Sequence, residues 1–167
     1  MRANKNMAEL LSKHSIRLSD PLPQNTQYPI WTGKDSTGRT YWGVSSFCGL
    51  NKFPISGDRD LSQLEWDGNE VYLDAVSDEQ VTRILKQAIG IITYWKRELE
   101  TRYPETPFYI LASYDNGDML FLEDDELPTR SVTLRFWADR GSNTVIYLDN
   151  FDDWEQPAII VQCNSLP

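Results

Sequence analysis

The feature that most constrains the fold is one long amphipathic segment near the middle of the chain. Ser77 is followed three residues later by Gln80, which is the pattern of a helix N-terminus, and Pro104 sets a C-terminal limit. Between these limits apolar residues recur at spacings of three and four: Val81, Ile84, Leu85, Ala88, Ile91, Ile92, Trp95 and Leu99. Such a broad apolar stripe has to be buried, so we predict a helix that lies across a sheet.

The segments that follow this helix have the composition and alternation of antiparallel strands. We predict strands at residues 108–114, 119–123, 132–137, 145–148 and 158–162. Asn116-Gly117 is the strongest local signal for a tight hairpin turn, and it lies between the first two of these strands. The first four strands are therefore predicted to run as an up-and-down meander, with short connections and no β-α-β crossover.

The part of the chain before the long helix is predicted to add one short helix and two hairpins. Asn6 and Glu9 have capping-box spacing, which predicts a helix over residues 7–14. One hairpin pairs 28–32 with 40–47, and another pairs 63–66 with 70–75 through Asp67-Gly68. The sequence thus predicts a single α+β domain over residues 1–167, with one long helix packed on a mostly antiparallel sheet and additional N-terminal hairpins.

The net charge of the chain comes entirely from its C-terminal part. Residues 1–102 contain 13 acidic and 13 basic residues, whereas residues 103–167 contain 12 acidic and 3 basic ones, and the whole chain has a net charge of −9. Such a surface attracts cationic partners and disfavours direct contact with nucleic acid or an anionic membrane. Because the sequence has neither a leader pattern nor an apolar run of the ~20 residues that a membrane span needs, we expect a cytoplasmic protein.

Two short acidic segments contain eight of those twelve acids. The residues of interest in them are Glu123, Asp124, Asp125 and Glu126, and then Asp149, Phe151, Asp152, Asp153, Trp154 and Glu155. In the predicted meander both segments follow strands that end at the same edge of the sheet, so we expect one surface, here called the acidic rim. Aromatic anchors among carboxylates are typical of interfaces, and we predict that all ten residues contact a basic protein partner. The alternative is a solvated acidic face with Trp154 packed into the core.

No motif for catalysis, cofactor binding or metal binding in the sequence meets its spacing requirements. A calcium loop that begins at Asp58 would have Gln63 in place of the required glycine and Asn69 in place of the bidentate glutamate. Cys48 and Cys163 lie far apart without metal-ligand spacing, so we expect free thiols. We predict no cofactor, no bound metal and no enzymatic activity.

In general character the chain resembles the immunity proteins that bacteria encode beside contact-dependent and other polymorphic toxins. The residues that carry the resemblance are the acidic and aromatic stretches EDDEL, from Glu123, and DNFDDWE, from Asp149. The resemblance implies a tight one-to-one complex with a cationic toxin domain, often a nuclease, whose active or substrate-binding site is blocked. Carboxylates of both stretches would then occupy phosphate positions, and Trp154 would anchor the complex.

Three other functions are compatible with the same sequence. A phage- or plasmid-type nucleic-acid mimic that blocks a host DNA- or RNA-binding protein would have the same acidic surface. A small metal-dependent hydrolase would use the acids as metal ligands, and divalent cations would then raise its melting temperature. A self-assembling module would pair through an exposed edge such as residues 158–161, a charge-free apolar run.

Overall fold

The computed structural model describes residues 1–19, 28–44, 55–117, 129–141, 148 and 150–164. The helices are α1 (Lys5–Lys13), α2 (Leu61–Gly68) and α3 (Asp78–Arg102). The strands are β1 (Arg2–Ala3), β2 (Ile30–Lys34), β3 (Thr40–Val44), β4 (Val71–Ala75), β5 (Phe108–Asp115), β6 (Arg130–Ala138) and β7 (Ala158–Cys163). Five strands form an antiparallel sheet in the order β1-β7-β5-β6-β4, and β2 and β3 form a separate hairpin sheet. This architecture confirms the predicted α+β class.

The long helix α3 forms where the sequence predicts it. The Ser77 hydroxyl oxygen accepts a hydrogen bond from the backbone N–H of Gln80 at 3.3 Å, while the Gln80 side chain accepts one from the N–H of Val76 at 2.8 Å. The helix has 25 residues and ends at Arg102, before Pro104. All eight residues of the predicted apolar stripe are buried, and this burial holds α3 against the sheet.

The two faces of the sheet are covered by different parts of the chain. One face carries the main core under α3, where the ring centroids of Trp95 and Phe136 lie 5.2 Å apart. The other face carries a smaller apolar cluster made of Leu111, Trp137, Phe151, Ala158 and Ile160. Alternation along the strands explains the division, since neighbouring residues of a strand point to opposite faces.

The strand order differs from the predicted meander. β5 pairs with β6 from residue 108 to 115 and with β7 from residue 108 to 113. The two sides of β5 are therefore occupied by β6 and β7. Gly117 does adopt a turn conformation, with φ of 75°. Residues 119–123 and 145–147 lie outside the described part of the chain, so the strands predicted there are not described.

The prediction that the fold has no β-α-β crossover is wrong. β4 and β5 are both antiparallel to β6 and lie on either side of it, so they run parallel to each other. α3 connects them. A helix of 25 residues is roughly 37 Å long, so it carries the chain back along the whole sheet before β5 begins.

The second predicted N-terminal hairpin is also wrong, because the residues of its first predicted strand, 63–66, lie in helix α2. The carboxylate of Asp60 accepts hydrogen bonds from the N–H groups of Ser62 and Gln63 at 2.8 and 3.3 Å, and this cap starts helix α2. Asp67-Gly68 therefore lies at the end of a helix. The strand predicted at 70–75 is confirmed as β4, but it pairs with β6.

Two of the N-terminal elements begin two residues away from their predicted positions: α1 begins earlier, at Lys5, and β2 begins later, at Ile30. Asn4, and not Asn6, caps α1, because its side chain accepts the N–H of Met7 at 2.9 Å. The first hairpin is confirmed, with β2 and β3 paired from Ile30 opposite Val44 to Lys34 opposite Thr40. Residues 45–47 of the predicted second strand lie outside the described residues.

The two edges of the main sheet are β1 and β4. β1 covers part of the apolar run at 158–161, because Arg2 pairs with Ile160 and Ala3 with Ile159. β4 pairs only with β6 among the strands of the described chain. In that same part of the molecule no helix is both long enough and apolar enough to cross a membrane.

Candidate functional site

The second half of the predicted acidic rim folds into a short turn that packs on the sheet. Phe151–Asp153 form one turn of 3₁₀ helix, and the chain then runs into β7. The N–H of Phe151 donates to the carbonyl of Leu148 at 3.1 Å, and the N–H of Asp153 donates to that of Asn150 at 2.9 Å. The ring of Trp154 stands edge-on to that of Phe151, with centroids 5.1 Å apart. Residues 151–155 are called here the 151–155 turn.

Asn4 joins this turn to the N-terminal helix and to the sheet. Its side chain is completely buried, and its Oδ1 accepts hydrogen bonds from the N–H groups of Met7 and Ala158 at 2.9 and 3.0 Å. Its Nδ2 donates to the carbonyl of Gln156 at 2.8 Å and to that of Trp154 at 3.3 Å. One buried amide thus satisfies the start of α1, the start of β7 and the end of the turn.

Asn6 holds the outer side of the same turn. Its Nδ2 donates to the carbonyls of Trp154 and Glu155 at 3.0 and 2.9 Å. The carbonyl groups of the turn therefore point towards α1. A turn whose backbone is held in this way loses little further freedom when a partner binds.

The carboxylates of the 151–155 turn lie at the surface of the protein. Asp152, Asp153 and Glu155 are all exposed. None of them forms an ion pair with any other residue that the structure describes. Three like charges within four residues repel one another, and a cationic partner would relieve that repulsion.

The structure corrects the prediction for Phe151. Its side chain has no exposed surface, because it lies at the centre of the smaller apolar cluster beneath the turn. The guanidinium of Arg2 lies 4.8 Å from the centre of its ring. Phe151 therefore supports the turn from below and cannot contact a partner in this conformation. Trp154 is half-buried and keeps part of its ring at the surface.

Three ion pairs join the C-terminal part of the chain to the N-terminal part. Residues 103–167 contain three basic residues: Arg130, Arg135 and Arg140. Each of them pairs with an acid from the first 102 residues: Arg130 with Asp78, Arg135 with Glu70, and Arg140 with Glu65. These three arginines thus hold the N-terminal part of the chain in place. Among the described residues, none of them forms an ion pair with an acid of residues 103–167.

Further carboxylates lie at the end of the sheet where β7 begins. Asp74 and Asp115 are both exposed, and both stand opposite Ser131, one on each side of β6. The N–H of Tyr114 donates to the carbonyl of Pro157 at 2.8 Å, so the chain that leaves the 151–155 turn enters β7 at this same end. We call Asp74, Asp115, Asp152, Asp153 and Glu155 the acidic end of the sheet.

The remaining residues of the predicted rim are not described. Glu123, Asp124, Asp125, Glu126 and Asp149 lie outside the described residues. The connection that contains the first four leaves β5 after Asp115 and enters β6 at Arg130, and these two points lie at the acidic end. The meander from which the common edge was predicted is wrong, but Asp74 and Asp115 add carboxylates that the sequence reasoning missed. Their shared register with Ser131 depends on long-range pairing that local sequence does not reveal.

A buried ion pair lies at the opposite end of β6. Oε1 of Glu65 accepts from Arg140 at 2.7 Å and from the N–H of Trp42 at 3.1 Å, and Oε2 accepts from Arg140 at 3.0 Å and from the N–H of Ala138 at 2.7 Å. Burial raises the pKa of Glu65, while Arg140 and the two N–H groups oppose that rise. Because both carboxylate oxygens are fully used, this pair serves the fold, joining β3 to β6.

Asn69 makes the same connection one helical turn later. Its Nδ2 donates to the carbonyls of Trp42 and Phe136 at 2.9 and 3.1 Å, and its Oδ1 accepts from the N–H of Val44 at 3.1 Å. The residue that fails the calcium-loop pattern is therefore a completely buried structural amide. Across the described residues no three side chains of His, Cys, Asp or Glu come together as a metal site.

The thiol of Cys163 is free and buried, as predicted, and burial raises its pKa to about 12. Cys48 lies outside the described residues. A thiol with so high a pKa is protonated at neutral pH and is a poor nucleophile.

The protein has an α+β fold, with exposed carboxylates on β4, on β5 and in the 151–155 turn that leads into β7. Comparison with known proteins adds no relative, since no family model, curated sequence or solved structure is significantly similar to the chain.

Proposed function

We propose that this protein binds and neutralises a cationic protein partner, and that the partner is a toxin whose active or substrate-binding site it blocks. The observation that supports this most directly is the acidic end of the sheet. It has five exposed carboxylates, none of them in an ion pair with a described residue, on a chain whose net charge is −9. The bacterial immunity proteins that the sequence resembles act in this way.

A nuclease is the toxin that best fits this surface. A nuclease needs a basic site to hold the phosphate backbone of its substrate, and carboxylates on a fixed support can occupy those phosphate positions. The hydrogen bonds of Asn4 and Asn6 supply the support for Asp152, Asp153 and Glu155. Complementary charge would also speed association, to about 10⁸ M⁻¹s⁻¹ or more at low salt.

The proposal is tested by capture of the partner followed by a charge-reversal variant. The protein is used as bait in a lysate of its native cell at low and at high salt, and captured proteins are identified by mass spectrometry. The expected result is one basic protein in equal amount, retained in part at high salt. Asp152→Lys with Asp153→Lys should then weaken its binding by about two orders of magnitude or more, because like charges would face each other.

A matched control separates local charge from total charge. Asp67 and Glu105 are also exposed, and both lie away from the acidic end. Asp67→Lys with Glu105→Lys makes the same change in net charge and should weaken binding by less than about tenfold. Equal losses for the two double variants would contradict a role for the 151–155 turn. A host DNA- or RNA-binding protein as the captured partner would instead favour a nucleic-acid mimic.

A further inference from the structure

The β4 edge of the main sheet carries two of the three large apolar side chains that are exposed in the described chain. These three side chains are Tyr72 at 55%, Val76 at 52% and Met1 at 43%, and Met1 is the one at the opposite edge, before β1. Tyr72 lies within β4, and Val76 is the residue that follows β4. Exposed apolar residues that gather on one element mark an interaction site more often than scattered ones do.

Within the described part of the chain, the backbone groups on the outer side of strand β4 pair with no strand. β4 pairs with β6 from Val71 opposite Leu134 to Ala75 opposite Arg130, and no strand of the described chain pairs with its other side. Natural edge strands usually carry a lysine, a proline or a bulge that stops another strand from adding. β4 has regular register and no proline, and Asp74 is the one charged residue in its sequence VYLDA, so this edge disfavours an acidic strand more than a basic one.

The inner face of β4 holds this edge in a fixed position. Val71, Leu73 and Ala75 are buried under α3, whereas Tyr72 and Asp74 point away from it. An incoming strand would therefore meet an ordered template. β4 would therefore lose little conformational entropy when another strand binds to it.

The charge around this edge distinguishes between possible occupants. Asp74 and Glu79 are exposed and form no ion pair with a described residue, while the nearby Arg130 and Arg135 are each already paired with an acid. Lys13 also lies near Asp78, just beyond the end of β4, so the described charge at this edge is negative through Asp74 and Glu79 and is offset in part by Lys13. A second copy of this chain would bring the same charges against it, whereas a basic segment would be attracted.

We infer that the outer edge of β4 is a docking site for an extended, basic segment of the cationic partner, which pairs with β4 and continues the five-stranded sheet. This inference rests on the proposed function for the charge of the partner. Residues opposite Tyr72 and Asp74 lie on one face and are two positions apart in the added strand. The segment should therefore have a lysine or arginine two positions from an apolar residue.

A pair of synthetic peptides tests this inference directly. One is a fluorescein-labelled peptide of alternating lysine and valine, and the other has the same sequence with an N-methyl group on every residue, which removes the backbone donors of both strand edges without changing the charge. Binding to the full chain is followed by fluorescence anisotropy and by amide chemical shifts. We expect the unmodified peptide to bind at least about tenfold more tightly and to shift the amides of Tyr72 and Asp74.

Two variants and one hydrodynamic measurement complete the test. Asp74→Lys should weaken binding about tenfold, and Glu105→Lys, the same charge change at the far end of the sheet, less than about twofold. Equal binding of both peptides, shifts confined to the 151–155 turn, or no binding would each overturn the edge inference and leave the capture experiment to decide the proposed function. A dimer in light scattering that Tyr72→Lys dissociates would overturn it too, by assigning the edge to a second copy.

Discussion

At the scale of single residues, the Glu65–Arg140 pair is the contact on which three parts of the chain depend. The carboxylate of Glu65 is completely buried, and its four hydrogen bonds join α2, β3 and the end of β6. Arg140→Met would leave this carboxylate buried without its cation. We expect the free energy of unfolding to fall by about 3–5 kcal/mol, measured by urea denaturation.

The control for this prediction is an arginine on an open helix surface. Arg83 of α3 is exposed, and Arg83→Met should change the free energy of unfolding by less than about 0.5 kcal/mol. Glu65→Gln combined with Arg140→Met should recover part of the loss, because no charge then remains buried. A loss for Arg140→Met no larger than that for Arg83→Met would mean that the pair does not hold the hairpin to the sheet.

Asp35, in the loop between β2 and β3, should make the stability of the protein depend on pH. Burial by itself would raise its pKa, but hydrogen bonds from the side chains and N–H groups of Arg39 and Thr37 outweigh it and lower the pKa from 3.8 to about 2. A lowered carboxylate pKa stabilises the folded state above the ordinary value, and this stabilisation is lost as the pH falls towards 2. Asp35→Asn should therefore destabilise the protein most at neutral pH.

Thermal melting of Asp35→Asn and the unchanged protein across the acid range checks this prediction. The difference in melting temperature should be constant above the ordinary pKa of 3.8 and should shrink as the pH approaches 2. Asp58 provides a comparison, because it is exposed and its side chain accepts a hydrogen bond from the hydroxyl of Ser56; Asp58→Asn should give a smaller difference. A difference for Asp35→Asn that stays the same at low pH would show that the charge of Asp35 is not what stabilises the loop.

At the scale of elements, variants of Asn4 and Asn6 allow the stability of α1 and the order of the 151–155 turn to be measured separately. Asn4→Ala removes the cap of α1 and leaves the N–H of Ala158 without its acceptor, so we expect a loss of about 2–3 kcal/mol in unfolding free energy. Asn6→Ala removes only the bonds to the turn and should cost less than about 1 kcal/mol.

Hydrogen exchange distinguishes the two variants. In Asn6→Ala the N–H of Asp153, which donates to Asn150, should exchange faster while the amides of α1 keep their protection. In Asn4→Ala both sets should exchange faster. Unchanged exchange at Asp153 in Asn6→Ala would mean that the packing of Phe151 alone orders the turn.

Elements with strong local signals could be predicted from sequence, and those set by long-range pairing could not. α3 has its cap, its stripe and its terminator within one segment, so its bounds follow from local chemistry. Residues 61–68 were predicted partly as a strand because Asp67-Gly68 suits a turn, yet the cap at Asp60 and the burial of Leu61 and Leu64 favour a helix. The strand order depends on pairing between strands that are far apart in the sequence, such as β5 with β7, and no local sequence pattern indicates that pairing.

For the candidate site, too, the features that depend on local sequence could be predicted and those that depend on long-range contacts could not. The acidic composition of the 151–155 turn is visible in the sequence, and three of its carboxylates are exposed as an interface requires. The full burial of Phe151 was not predictable, because it depends on the turn crossing the second face of the sheet. Asp74 and Asp115 lie 41 positions apart in the numbering and meet only through their common neighbour Ser131. Composition therefore indicates the charge of a surface, and topology decides which residues share it.

At the scale of the whole molecule, unneutralised charge should make stability depend on salt. Each chain carries a net charge of −9, and the bases of its C-terminal part are paired with acids of the N-terminal part. Repulsion among the remaining carboxylates opposes folding and is screened by ions over about 10 Å at 0.1 M salt. We expect the melting temperature to rise by several degrees between low salt and about 0.15 M sodium chloride.

The charge-reversal variants show whether the acidic end is the source of that repulsion. Asp152→Lys with Asp153→Lys adds four charges and changes the net charge from −9 to −5. If the repulsion is local, this variant should melt at a higher temperature at low salt and respond less to added salt than Asp67→Lys with Glu105→Lys, which has the same net charge. If the melting temperatures of the two variants depend on salt in the same way, the repulsion comes from the total charge of the protein and not from the acidic end. Such an evenly spread charge would not direct a partner to the 151–155 turn.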